Sequence, residues 1–157
     1  MNYTFIEQQE KMFIGMKFAG PFHVLPVEMP KLWKEFLSRV AEIPHAIEGV
    51  YYDISDEDFT HHIHTEYIAV EVERFETIPY GMLAFTIPAR RFLTVTHQGP
   101  MSKVPDTYTQ LFGWMKENGY ELDLSTFRIE RYDHRFLSSV DDPAREENAY
   151  EIMIPIK

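Results

Sequence analysis

Short apolar-rich runs bounded by polar turns open the chain. Tyr3 to Gln8 and Phe13 to Ala19 read as two strands joined by the polar turn Gln9-Glu10-Lys11. Gly20-Pro21 ends the second, and Pro26 and Pro30 mark the approach to a helix. From Lys31 the period lengthens: Leu32, Trp33, Phe36, Leu37 and Val40 recur at helical spacing, with Lys34, Glu35 and Ser38 on the other face. Pro44 closes the helix. Val50 to Ile54 and His62 to Glu73 then read as two strands around the acidic turn Ser55-Asp56-Glu57-Asp58.

The pattern then starts again. Phe13 to Phe22 lies without a gap over Phe92 to Met101, and the same shift sets Leu32 on Leu111, Trp33 on Phe112 and Phe36 on Met115. Pro79-Tyr80-Gly81 is the hinge. Beyond it come strands at Met82 to Ile87 and Arg91 to His97, and a helix opened by Pro105-Asp106 and capped after its last turn by Gly119. Phe127 to His134 and Tyr150 to Ile156 are the last strands, separated by the charged loop Asp141 to Asn148. Each half is therefore strand, strand, helix, strand, strand. This predicts an α+β fold, a single domain over residues 1–157 built from halves 1–79 and 80–157, with a mostly antiparallel sheet and helices on one face. A seam between two such halves is where a pocket forms.

Composition narrows the chemistry. The chain has 157 residues, enough for one ordinary core. Its formal net charge of -10 argues against nucleic-acid backbones and anionic membrane surfaces. There is no cysteine, which removes disulfides, thiolate metal sites and cysteine nucleophiles. Nothing near Met1 has the blocks of a signal peptide and no apolar run could span a bilayer, so a cytoplasmic location is expected. An aromatic share of 15% exceeds what a minimal core needs, and rings lining a pocket would use that excess.

Few residues carry obvious chemistry. In Phe127-Arg-Ile-Glu-Arg-Tyr132 alternation sets Arg128, Glu130 and Tyr132 on one face of the strand. A carboxylate there pairs with Arg128 or Arg131 on a solvated face, or lines the seam at a desolvation cost. At the constant shift Glu130 falls on Tyr51. Glu151 and Glu71 stand on their own strands in similar settings, each readable as a polar position on a half-exposed strand or as a seam residue. His61-His-Ile-His64 with Glu66 has a metal-like look, since His62 and His64 would share a strand face, but no third ligand is fixed by the spacing. No metal or other cofactor is assigned. Trp33 and Trp114 sit on the apolar faces of their helices, where core packing is the ordinary role. No catalytic triad, phosphate loop or dinucleotide fingerprint is present.

Tyr67-Ile-Ala-Val-Glu-Val72, Ile87-Pro-Ala-Arg90, His97-Gln-Gly-Pro100, Phe127-Arg-Ile-Glu-Arg-Tyr132 and Tyr150-Glu-Ile-Met-Ile-Pro-Ile156, in this order and with the repeat, resemble the GyrI-like domains. That family includes effector-binding domains of multidrug-responsive bacterial transcription activators. The resemblance implies a curved antiparallel sheet of two related halves, two helices, and a cleft for aromatic, often cationic, small molecules. It also implies a glutamate on the penultimate strand at the bottom of that cleft, matched here by Glu130. Tyr67 matches the family's first-half tyrosine, with Val70 where glycine is commoner. Tyr67, Trp33 and Trp114 are then candidates for the walls, with Tyr108, Tyr132 and Glu151 as further ligand-binding candidates.

Three functions follow as expectations. The first is a free-standing small-molecule-binding protein for lipophilic cations, a sensor without a helix-turn-helix or basic segment of its own to read DNA. The second is a hydrolase of strained electrophilic rings, in which Glu130 positions or activates water. The third is a protein-binding modulator, such as a topoisomerase inhibitor, for which a protein partner is expected.

Overall fold

A computed structural model describes residues 1–157. Eight strands form one sheet: β1 (Thr4–Gln8), β2 (Lys11–Pro21), β3 (Tyr51–Asp58), β4 (Ile63–Val72), β5 (Leu83–Ile87), β6 (Arg90–Gln98), β7 (Arg128–Tyr132) and β8 (Ala149–Pro155). Their order across the sheet is β1-β6-β8-β7-β3-β4-β2-β5, and every pairing is antiparallel. Helices α1 (Leu25–Arg39) and α2 (Val104–Glu117) follow β2 and β6. The α+β fold with two helices and one antiparallel sheet is the one expected from the sequence.

The halves exchange their first strands. β1 and β2 are consecutive but do not pair; β1 lies along β6 and β5 along β2. The registers match: Phe5 faces Leu93 in one pairing, and Ala84 faces Ile14 in the other. The turn read from Gln9-Glu10-Lys11 is thus a bridge across the molecule. Only two residues separate β1 from β2, and two separate β5 from β6, a reach of roughly 10 Å. In a flat sheet the joined strands would stand six spacings of about 4.8 Å apart. The sheet must therefore curl. Inside the curl sits a core of Phe13, Tyr52, Ile54, Ala69, Ile87, Phe92, Ile129 and Met153. On its outer face the two helices cover a larger core that includes Trp33, Phe36, Leu111 and Met115. Gly15 faces Ala69 across the β2–β4 ladder, where a Cβ would run into the Ile68 carbonyl and the Ala69 side chain.

Three boundaries differ from the sequence reading. Helix α1 starts at Leu25 rather than Lys31, because Pro26 falls in the first turn, where its missing N–H is not needed. Pro30 lies inside the helix at an exposed position, so the carbonyl it leaves unpaired can be hydrated. Strand β3 runs on through the acidic residues read as a turn, because Glu57 is matched by Arg128 and by His64. His62 stands in the turn after it with φ +56°, so it does not share a strand face with His64. The cap at Gly119 is as read: its φ is +76° and Tyr120 N donates to Met115 O at 2.9 Å.

Candidate functional site

The two halves meet where β3 pairs with β7, and at that line Asp53 faces Glu130. The ladders also revise which residues correspond. Val70 and Ile154 hold equivalent places beside Ile14 and Leu93. The pairs Tyr52–Ala69 and Ile129–Met153 then equate Tyr52 with Ile129, and so Asp53 with Glu130. The constant shift that set Glu130 on Tyr51 fails because the stretch through the helix is two residues longer in the first half, with Asp53 39 positions after Ile14 and Glu130 37 after Leu93. The next connection differs far more. Four residues join β3 to β4, whereas sixteen join β7 to β8.

That longer loop closes a cleft. The largest hollow in the molecule, about 870 Å³, lies between Pro30 of α1 and Met101 and Val104 at the start of α2. Glu130, Tyr132 and Tyr150 form its floor, and Phe136 to Pro143 contribute its outer wall. The wall is pinned. Leu137 N donates to Asp141 Oδ2 at 2.8 Å, Met101 N to Pro143 O at 2.8 Å, and Ser139 Oγ to Pro30 O at 3.3 Å. The buried Asn148 ties the end of the loop, its Nδ2 donating to Asp142 O at 2.9 Å.

The rings on the floor support one another. Tyr132 stacks on Tyr150 with centroids 4.6 Å apart, and the Trp33 ring meets Tyr132 edge-on at 5.3 Å. Phe136 follows at 6.3 Å. Glu130 is half-buried on that floor. Burial pushes its carboxyl above the usual carboxylate range, while the hydroxyls of Tyr150 and Tyr108 and the charge of Arg128 pull the other way. Tyr108 reaches this region from α2. Its hydroxyl lacks a well-formed hydrogen bond, and burial followed by the nearby Glu130 charge holds its proton firmly.

Behind Glu130 the acids accumulate. Asp53 is pushed well up by burial, then by the charges of Glu66 and Glu130, and one of its oxygens, Oδ1, has no partner. His64 Nε2 lies 2.7 Å from Glu66, and Arg128 is engaged by Glu57 and lies 5.1 Å over the Tyr108 ring. One guanidinium thus serves several carboxyls, and burial favours the protonated forms of Asp53 and Glu130.

The structure gathers four of the seven expected site residues: Glu130 and Tyr132 on the cleft floor, Trp33 against Tyr132, and Tyr108 beside Glu130. The other three stand apart. Tyr67 is on the opposite face of the sheet, packed against Phe85 and Phe127 at 4.8 and 5.9 Å. Glu151 is on that face too, held by Thr96 and Arg135. Trp114 is stacked between Tyr3 at 4.1 Å and Tyr120 at 5.6 Å, where it anchors the chain start to α2. Sequence reasoning missed Tyr150, Phe136 and Asp53. Tyr150 was within reach, because it alternates onto the face of Ile152 and Ile154, opposite to Glu151. Asp53 was hidden by the assumption of a constant shift.

The sequence matches the GyrI-like small molecule binding domain over residues 1–157. The transcriptional regulator BrlR of Pseudomonas aeruginosa is 27% identical over 161 residues, which cover 99% of this chain and 56% of BrlR. The chain therefore spans about half the length of that curated relative. Among solved structures, SAV2435 bound to tetraphenylphosphonium superposes with a TM-score of 0.77 at 14% identity, covering 100% of this chain and 94% of that one. EcmrR in its DNA complex superposes with a TM-score of 0.71 at 21% identity, covering 99% of this chain and 57% of that one. No helix is long and apolar enough to cross a membrane.

Proposed function

Because the chain belongs to the GyrI-like small-molecule-binding family, we propose that its cleft takes lipophilic aromatic cations, with Glu130 as their counter-ion. The observation that carries this reading is the Glu130 carboxyl on the floor of a ring-lined cleft, beside the Tyr132–Tyr150 stack and beneath a wall that adds Asp141 and Asp142. A soft cation loses little hydration on entering such a site and gains contact area, cation–π attraction and a desolvated counter-charge. The volume suits a drug-sized ligand. Support comes from SAV2435, which was solved bound to tetraphenylphosphonium, and from BrlR, a transcriptional regulator, which fits a role for this cleft in a transcriptional response. The test is a thermal-shift panel of lipophilic cations against neutral analogues. Cations raise the melting temperature of wild type and not of Glu130→Gln; equal shifts in both proteins reject the counter-ion.

Ring-opening hydrolysis is the second reading, favoured by the Tyr108 hydroxyl, which stands near Glu130 without a firm partner. It requires a water-added product exceeding one equivalent per protein. A yield no higher than the protein-free control removes it.

A further inference from the structure

The geometry points to a second ligand site, on the curled inner side of the sheet, that takes a small carboxylate with an apolar body. Neighbouring residues of β7 alternate through the sheet, so Glu130 serves the cleft while Arg131 emerges behind it. There a separate cavity of about 340 Å³ opens between β1, β2 and the middle strands. Ile6, Ile47, Val50, Tyr52 and Met153 supply its apolar lining.

Its polar groups are unevenly matched. The two acids that line it are already paired with cations. Lys11 Nζ donates to Glu71 at 3.0 Å, while Glu151 accepts from Thr96 Oγ1 at 2.9 and 3.0 Å and from Arg135 at 2.9 Å. The other donors are less well matched. Arg131 meets the Tyr52 hydroxyl but makes no hydrogen bond to a carboxylate; the nearest is Asp133 at 3.9 Å, and Arg135 already holds both oxygens of Asp133. Gln8 also lines the cavity, is 8% exposed, and has an Nε2 without any acceptor. A buried amide N–H₂ without a partner is costly, and a guanidinium fork is built for two parallel oxygens. Lys11 and Arg135 are committed to acids, so the group that completes this cavity is an acceptor pair with negative charge. A carboxylate pairs with Arg131 inside a cavity that Gln8 also lines, and an aryl or alkyl tail fills the space against Tyr52 and Met153.

The experiment uses the full chain, 3-phenylpropanoate, and its neutral amide. Amide and methyl NMR shifts in wild type are expected to move saturably at Ile6, Tyr52 and Met153, with Tyr132 and Tyr150 unmoved. Calorimetry is expected to show at least tenfold weaker binding of the amide, and of the acid to Arg131→Met. Glu130→Gln should bind 3-phenylpropanoate as wild type does, so failure of the cation cleft and failure of this site are separable. If Arg131→Met does not fold, judged by its melting curve, Gln8→Leu and the wild-type shift map decide. Absence of saturable binding up to 10 mM, shifts confined to the cleft, or equal affinity for acid and amide overturns the site.

Discussion

Asp53 and Glu130 face each other across the β3–β7 ladder, at the line where the two halves meet, and occupy equivalent places in those halves. The duplicated frame therefore carries a carboxyl on each side of its seam, but only one opens into a ring-lined cleft. Where the second half has Tyr132 and Tyr150, the first half has Ser55 and Glu66 in the corresponding ladder positions. One fold thus presents rings on one side and buried acids on the other.

Those acids set a pH dependence. Both Asp53 and Glu130 have folded pKa values raised above the unfolded range near 4. The folded state then binds more protons than the unfolded state in the interval above that range, so stability falls as pH rises through it. Denaturant melts from pH 4 upward should show a declining unfolding free energy that levels off once both groups have ionised, with a shallower decline in Asp53→Asn.

At neutral pH Asp53→Asn should stabilise the ligand-free protein by about 1–3 kcal/mol, the scale on which removing an unmatched buried charge acts. A urea midpoint that moves upward, with an unchanged slope, is the expected outcome.

Cation binding should release a proton. A ligand that needs ionised Glu130 gains affinity with pH by up to about tenfold per unit while that group is still protonated, and none beyond. Calorimetry in two buffers of different ionisation enthalpy reads the proton count directly, and a count of zero below the folded pKa contradicts the linkage.

The wall of the cleft is open to a separate test. Asp141→Ala removes the acceptor of Leu137 N and should weaken cation binding about three- to tenfold, the loss of roughly one hydrogen bond's ordering. The melting temperature of the free protein should change little, because Phe136 still anchors the start of the loop in the helix-covered core.

Gly15→Ala is expected to cost about 3 kcal/mol or more, because its Cβ meets a backbone carbonyl that the sheet cannot shift. Its measure is the urea midpoint.

Much of this was readable in the chain. The repeated Gly-Pro ends and the helical spacing around Trp33 and Leu111 are local signals that lead to the elements and the fold class, whereas Glu130 was singled out by the resemblance to the GyrI-like domains and not by its alternation. What stayed hidden depended on distant pairing. That β1 leaves β2 to lie on β6 is decided by long-range ladder energies, which no local period records. Tyr67 and Glu151 were expected at the seam because alternation separates two faces without saying which one the helices cover. Trp114 looked like a wall because helical spacing does not reveal that Tyr3 and Tyr120 stack against it. The correspondence of Asp53 with Glu130 needed the loop lengths that only the ladders fix.

The most direct test is calorimetric, at neutral pH, with tetraphenylphosphonium and the neutral triphenylphosphine oxide titrated into wild type and Glu130→Gln. Wild type should prefer the cation by at least about tenfold, equivalent to roughly 1.4 kcal/mol, and Glu130→Gln should lose that preference while still binding the neutral compound. A preference of the same size in both proteins would contradict the account, because the charge recognised would then not be that of Glu130.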